Sequence, residues 1–238
     1  MPLPRIAFFH GGGSNSSISA IQCAQVSGIL SKEFEFVFFD APFQRGAGPG
    51  ILPAFAEPMY QPYRTWFTLS TVNGMEVEVS DGGGFEDGEN GEDGVERVWE
   101  LMRKAGGGFV GVMGFSQGTR IAGGLLLDQQ KRQEEGFKKA EMGLKFGVMC
   151  MGGGAPMVSA ISRDGSEKLD LIKIPTLHLH GLKDGNLTNG RIMLAAHYAK
   201  DNAKLLEIDY HHAMPWVKKD VNAFVSQIRE LWASVKDE

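Results

Sequence analysis

The chain has 238 residues, 42% of them hydrophobic and 10% aromatic, and its 24 basic and 29 acidic side chains leave a net charge of −5. That length suits one α/β domain over residues 1–238 with a sizeable core, and two cysteines, Cys23 and Cys150, are too few for a disulfide framework. Nine acids and no Lys or Arg fall between Glu76 and Glu96, and no arginine- or lysine-dense stripe occurs elsewhere, which argues against a nucleic-acid surface.

Arg5 to Phe9 reads as the first strand, and its apolar run Ile6-Ala7-Phe8-Phe9 has none of the length of a signal-peptide core or a membrane span. A cytoplasmic protein with no membrane association is the expectation, with both cysteines as small buried hydrophobes. The strand runs into His10-Gly11-Gly12-Gly13, a turn able to aim backbone N–H groups at a ligand. Residues 14–30 are expected as a helix and residues 34–40 as a second strand, with Asp40 an ordinary loop carboxylate.

Residues 43–86 lack clear periodicity. Pro49, Pro53, Pro58 and Pro62 punctuate Phe43, Phe55, Met59, Tyr60, Tyr63, Trp66 and Phe67. A long aromatic insertion is usually functional, so it is expected to act as a pocket wall or lid, the alternative being a cover over the sheet edge. The acidic, glycine-rich run near residues 81–94 does not match the spacing of an EF-hand calcium loop and reads as a solvated loop. Residues 86–104 are expected as a helix through Val95, Val98, Trp99 and Met102.

The stretch that organises the chain follows. A short apolar run bounded by glycines reads as a buried parallel strand, and Ile121, Leu125 and Leu126 carry helical spacing after it. Between them lies Gly114-Phe115-Ser116-Gln117-Gly118, the G-x-S-x-G pattern of a nucleophile elbow; the alternative is a glycine turn with a helix-capping serine. The small residues Ala122, Gly123 and Gly124 are expected to let the helix pack closely on a sheet. The charged run from Asp128 to Lys139 reads as a solvated helix end.

Further strands are expected at 144–151, 174–181 and 204–209, with a closing amphipathic helix from about 216 to 235. Alternating strands and helices imply a doubly wound, mostly parallel sheet of about six strands flanked by helices. A serine hydroxyl needs a base beside it and a carboxylate to hold that base in the right tautomer. The α/β-hydrolase order of Ser, then Asp or Glu, then His selects Ser116, Asp184 and His212, each on a loop after a strand. His211 competes with His212, and Asp201 and Asp209 compete with Asp184. His178 and His180 share one strand face but read as buried strand histidines, because nothing completes a metal site. The oxyanion donors are expected from the backbone of Gly12, with Gly13 as the alternative, and of Gln117.

Taken together, His10-Gly11-Gly12, Phe39-Asp40-Ala41-Pro42, Pro49-Gly50-Ile51, Arg64-Thr65-Trp66-Phe67, the elbow, His180-Gly181-Leu182-Lys183-Asp184 and His212-Ala213-Met214-Pro215 resemble the FSH branch of the α/β-hydrolases. These are small serine hydrolases well represented in fungi, among them stand-alone thioesterases that release polyketides, as in lovastatin biosynthesis. The resemblance places the histidine three residues before a proline, which favours His212, although Tyr210 and His211 stand where the family has small residues. It implies hydrolysis of an ester or thioester through an acyl-enzyme, with no metal or organic cofactor. Phe43, Tyr63, Trp66, Phe67 and Met214 are the expected pocket residues for an apolar acyl chain. An acyl carrier protein is a possible partner. A general small-ester carboxylesterase and a non-catalytic ligand-binding relative are the alternatives.

Overall fold

The computed structural model describes residues 2–67, 69–72, 75–78, 94–136, 143–162 and 169–237. In chain order the elements are β1 (Arg5–Phe9), α1 (Ser16–Gln22), α2 (Ala24–Leu30), β2 (Glu35–Phe39), β3 (Phe43–Gln44), β4 (Arg64–Thr65), β5 (Leu69–Val72), β6 (Met75–Glu78), α3 (Gly94–Lys104), β7 (Phe109–Phe115) and α4 (Gly118–Glu134). Then come β8 (Phe146–Cys150), β9 (Thr176–Gly181), α5 (Leu187–His197), β10 (Ala203–Ile208) and α6 (Lys218–Val235).

Six strands lie side by side in the order β2, β1, β7, β8, β9, β10, and every neighbouring pair is parallel. The central strands are covered on both faces, so alternate residues serve different layers. Ile6 and Phe8 of β1 join Val26 and Leu30 of α2 and Phe224, Val225 and Ile228 of α6. Ala7 and Phe9 join Val98 and Trp99 of α3 and Ile121 and Leu125 of α4 on the opposite face. The chain enters the sheet at β1, steps outward to β2, and returns on the other side of β1 as β7. That reversal makes the carboxyl ends of β1 and β7 a switch point, where the departing loops diverge and leave a crevice.

Several expectations change in detail. The helix over 14–30 is two helices: the Asn15 side chain caps α1 by accepting from the Ile18 N–H at 2.9 Å, and the break at Cys23 redirects α2 so that Val26 and Leu30 reach the core. The stretch from 43 onward is not wholly irregular, since β3 pairs with β4 and β5 with β6, both antiparallel. The acidic run over 79–93, with positions 86–93 of the expected helix, lies outside the described residues. A Cβ on Gly123 would strike the Tyr198 hydroxyl at 2.7 Å and one on Gly124 the Met157 carbonyl at 2.5 Å, so these two glycines admit Tyr198, which follows α5, and the segment after β8.

The charged run that opens at Asp128 is solvated only in part. Asp128 is fully buried, and its Oδ2 accepts from the Trp99 indole at 2.8 Å and from Arg132 Nε at 2.7 Å. Arg132 also reaches Glu96 at 2.8 Å, which ties α3 to α4. A buried carboxylate is tolerable because both a charge and a neutral donor meet it. Residues 137–139 of that run lie outside the described residues. Both cysteines are free and buried, and burial pushes the Cys23 thiol up to about 12 and Cys150 well above its usual range. Among the described residues no helix is long and apolar enough to cross a membrane.

Candidate active site

The elbow is forced by close approach. A Cβ on Gly114 would lie 2.3 Å from the Gly118 carbonyl, and one on Gly118 would lie 2.0 Å from the Phe9 carbonyl of β1, so neither position admits a side chain. Ser116 between them holds φ +53, a left-handed conformation that costs a non-glycine residue roughly 1–3 kcal/mol and persists only when its surroundings over-determine it. Here they do. The Ser116 N–H donates to the Cys150 carbonyl at 2.9 Å, and its own carbonyl accepts from the Thr119 N–H at 3.0 Å and hydroxyl at 2.7 Å.

Two later loops meet at the same sheet edge. Asp184 follows β9 and is nearly buried; its Oδ1 accepts from the Asn186 N–H and its Oδ2 faces His212 Nδ1, both at 2.8 Å. With Nδ1 turned to the carboxylate, Nε2 is the ring nitrogen left for other work. The two loops can touch because a Cβ on Gly181 would lie 2.5 Å from the Tyr210 carbonyl and 2.9 Å from that of His211. Tyr210, unexpected so close to the histidine, is a clamp: its buried hydroxyl accepts from the Trp216 and Val217 N–H groups at 3.2 and 2.7 Å and pins the loop from below. Phe115 packs against the His212 ring at 5.1 Å.

Ser116, Gln117, Asp184 and His212 line one cavity of about 760 Å³. The other candidates fall outside it. His211 is exposed and leans on Trp216, Asp209 pairs with Lys183 at 2.8 Å, Asp201 lies in a short 3-10 turn, and Asp40 accepts from the Ser16 N–H at the start of α1. His178 and His180 are buried on the face that Tyr198 covers, and no group of three or more metal-ligating side chains occurs among the described residues.

The turn after β1 sits directly on the elbow. A Cβ on Gly11 would lie 3.2 Å from Ser116 Cβ, and one on Gly12 would lie 3.2 Å from the Gln117 carboxamide. Gly13 is spent, because its N–H donates to the Arg64 carbonyl at 2.7 Å; the N–H of Gly12 meets no described residue. Gln117 stands at the N-terminal end of α4, the positive end of that helix. His10 is held neutral, its pKa lowered to about 4 by burial. Its Nε2 accepts from the Ala41 N–H at 3.0 Å, so Nδ1 carries the proton and donates to the Gly11 carbonyl at 2.7 Å.

The expected pocket residues are elsewhere. Trp66 and Phe67 are fully buried, plugging the end of the sheet beside Phe9 and Phe39, and Phe43 packs against the same cluster. Tyr63 joins Ile18 and Ile51 in a small separate cluster, with its hydroxyl on the Phe55 carbonyl at 2.6 Å. Met214 lines a second cleft of about 270 Å³ with Ile21, Phe55 and Trp216. The antiparallel pairing of β3 with β4 holds Trp66 and Phe67 inward, where burying each contributes roughly 2 kcal/mol or more. The cavity wall is made instead by Arg120, Asn186, Asn189, Ile192, Met193 and His197, with Pro49 and the 153–155 turn. Periodicity carried that signal: Arg120 stands four residues after Ser116 at the start of α4, and 186, 189 and 193 fall at helical spacing directly after Asp184.

Residues 1–224 match the model of the serine hydrolase (FSH1) family. The chain belongs to that family. Among its relatives, a "Probable esterase" of Aspergillus terreus is 31% identical, covering 96% of this chain and 89% of that protein. "Esterase citA" of Monascus ruber is 33% identical over 96% of this chain and 92% of its own length, and "Esterase mlcF" of Penicillium citrinum 31% over 99% and 92%. Among solved structures, Zea mays acyl-protein thioesterase 2 superposes with a TM-score of 0.57 at 16% identity, covering 96% of this chain and 94% of that one. Arabidopsis thaliana SOBER1 gives 0.57 at 18%, covering 97% and 99%. At those identities the likeness is one of fold, the α/β-hydrolase fold.

Proposed function

We propose that the chain hydrolyses an acyl ester or thioester through an acyl-enzyme on Ser116. The observation that carries this reading is the convergence of a strained Ser116 and a hydrogen-bonded His212–Asp184 pair on one cavity. His212 Nε2 takes the serine proton as Oγ attacks the carbonyl, and Asp184 holds Nδ1–H and stabilises the imidazolium. The N–H groups of Gly12 and Gln117 hold the oxyanion. The proton then passes to the leaving oxygen or sulfur, and water repeats the cycle on the acyl group.

The cavity is within the size range of small-molecule sites, and Arg120, Asn186 and Asn189 face it alongside Ile192 and Met193. That mixture favours an acyl chain bearing oxygen substituents, as polyketide chains do, over a plain alkyl chain. Lys183 and Arg191 near the Asp184 loop are already paired with Asp209 and Glu207, so a free small-molecule substrate suits this rim better than an acidic carrier protein. The test is intact-protein mass spectrometry after brief exposure to matched oxygen esters, small thioesters and carrier-bound thioesters. An acyl adduct in wild type and none in Ser116→Ala is expected, with small substrates loading at least as fast as carrier-bound ones. Faster loading from the carrier would reverse the partner assignment, and an adduct in the variant would overturn the nucleophile.

A further inference from the structure

A buried polar node joins the two loops that carry the proposed oxyanion donors. The Gln117 side chain reaches the strap formed by β4. Its Oε1 accepts from the Trp66 backbone N–H at 2.9 Å, which fixes the amide orientation, since an N–H cannot bond to the amide nitrogen as donor. The Thr65 hydroxyl sits beside the same carboxamide, 3.1 Å from Oε1 and 3.0 Å from Nε2. From the other side of the strap, the Trp66 indole N–H donates to the His10 carbonyl at 2.8 Å, two residues before Gly12. The carboxamide also packs directly on Gly12. Thr65 and Trp66 are almost wholly inaccessible, so these bonds are made away from competing water.

We propose that Thr65, Trp66 and the Gln117 side chain form a positioning brace, which sets the spacing between the Gly12 and Gln117 N–H groups and so tunes the oxyanion hole. The inference rests on the reading of those two N–H groups as oxyanion donors to an adduct of Ser116. Neither Thr65 nor Trp66 lines the cavity; each acts through the loop it holds. Two donors stabilise developing charge only when both sit near 3 Å from it, and without the brace the elbow and the glycine turn are joined less rigidly.

The experiment compares wild type with Thr65→Val, Thr65→Ser and Trp66→Phe, measuring kcat and KM on a small activated ester and the inhibition constant of an alkyl trifluoromethyl ketone. The serine adds to that ketone, its proton passes to the histidine, and the carbonyl electron pair becomes an alkoxide in the hole. Thr65→Val is expected to lower kcat about tenfold to a hundredfold with KM little changed, and to weaken the ketone by the same factor. Thr65→Ser, which keeps the hydroxyl, restores both. Trp66→Phe keeps the bond to Gln117 and loses the one to His10, and is expected to shift both values in the same direction. A folded Thr65→Val or Trp66→Phe with wild-type kcat and ketone affinity overturns the brace, as does a loss of kcat with ketone affinity unchanged. Failure of wild type to form the ketone adduct, with Ser116→Ala still turning over, overturns the underlying assignment as well.

Discussion

Ser116 is the residue on which the proposed chemistry depends. Ser116→Ala should leave the fold intact, since it removes one oxygen, and lower turnover by several orders of magnitude. A fluorophosphonate probe labels wild type and not the variant on this assignment; persistent labelling places the nucleophile elsewhere. The two histidines are separable by the same logic. Only His212 is bonded to Asp184, while His211 is exposed against Trp216. His212→Ala and Asp184→Asn are therefore expected to cost on the order of 10³–10⁴-fold in kcat, whereas His211→Ala and Asp209→Asn stay within a few-fold. Steady-state assays on four folded variants decide it, and equal damage from His211→Ala would sink the choice of base.

At the scale of elements, the loops after β9 and β10 are only as well registered as Gly181 allows. Gly181→Ala pushes a methyl into the Tyr210 and His211 carbonyls, so it should separate Asp184 from His212 and lower kcat by tenfold or more with a modest loss of stability. A variant with unchanged kcat would show that the loops relax without cost. Trp66→Ala is expected to cost about 3–5 kcal/mol of unfolding free energy, because the indole is core, and to leave acyl-chain preference unchanged among the molecules that fold. Urea melts and an acyl-length series check the two halves. These elements also show what the sequence could and could not say. The elbow was legible because its demand is local: Gly114 and Gly118 are steric necessities that recur at fixed spacing. Strand order pointed to the loops of Asp184 and of the adjacent His211 and His212, and the resemblance to the family, through the offset from Pro215, chose His212 of the two. Trp66 and Phe67 were not legible, because an aromatic side chain after a proline looks the same in sequence whether its strand pairing turns it toward a ligand or into the core. Asp128 was misread for a related reason, since a buried acid inside a charged run is revealed only by the Trp99 and Arg132 that come to meet it.

For the whole molecule, the buried histidines set the response to acid. His10 and His178 lie inside, with pKa values lowered by burial to about 4 and about 3 from an ordinary value of 6.5, and His180 is lowered for the same reason. Their folded forms stay neutral while the unfolded chain takes up protons as the pH falls below 6.5. The unfolded state then binds more protons, so stability is full above about pH 6.5 and is lost as the pH drops toward the folded values. Each such proton contributes a slope of about 1.4 kcal/mol per pH unit, so the two deeply buried histidines together give a slope of roughly 2.7 kcal/mol per pH unit near pH 5, which accumulates to about 6 kcal/mol between pH 6.5 and pH 4. Against a total stability on the order of 5–15 kcal/mol, that is enough to bring unfolding within reach between pH 5 and pH 4. Protonating His10 also breaks the bond from the Ala41 N–H that positions the glycine turn, so activity should fade with the fold instead of persisting in an acid-stable core. Urea midpoints measured from pH 7 to pH 4 are expected to fall steeply, and His178→Gln should flatten the slope by about one proton. A flat profile in wild type would mean that the buried imidazoles find compensating acceptors on protonation.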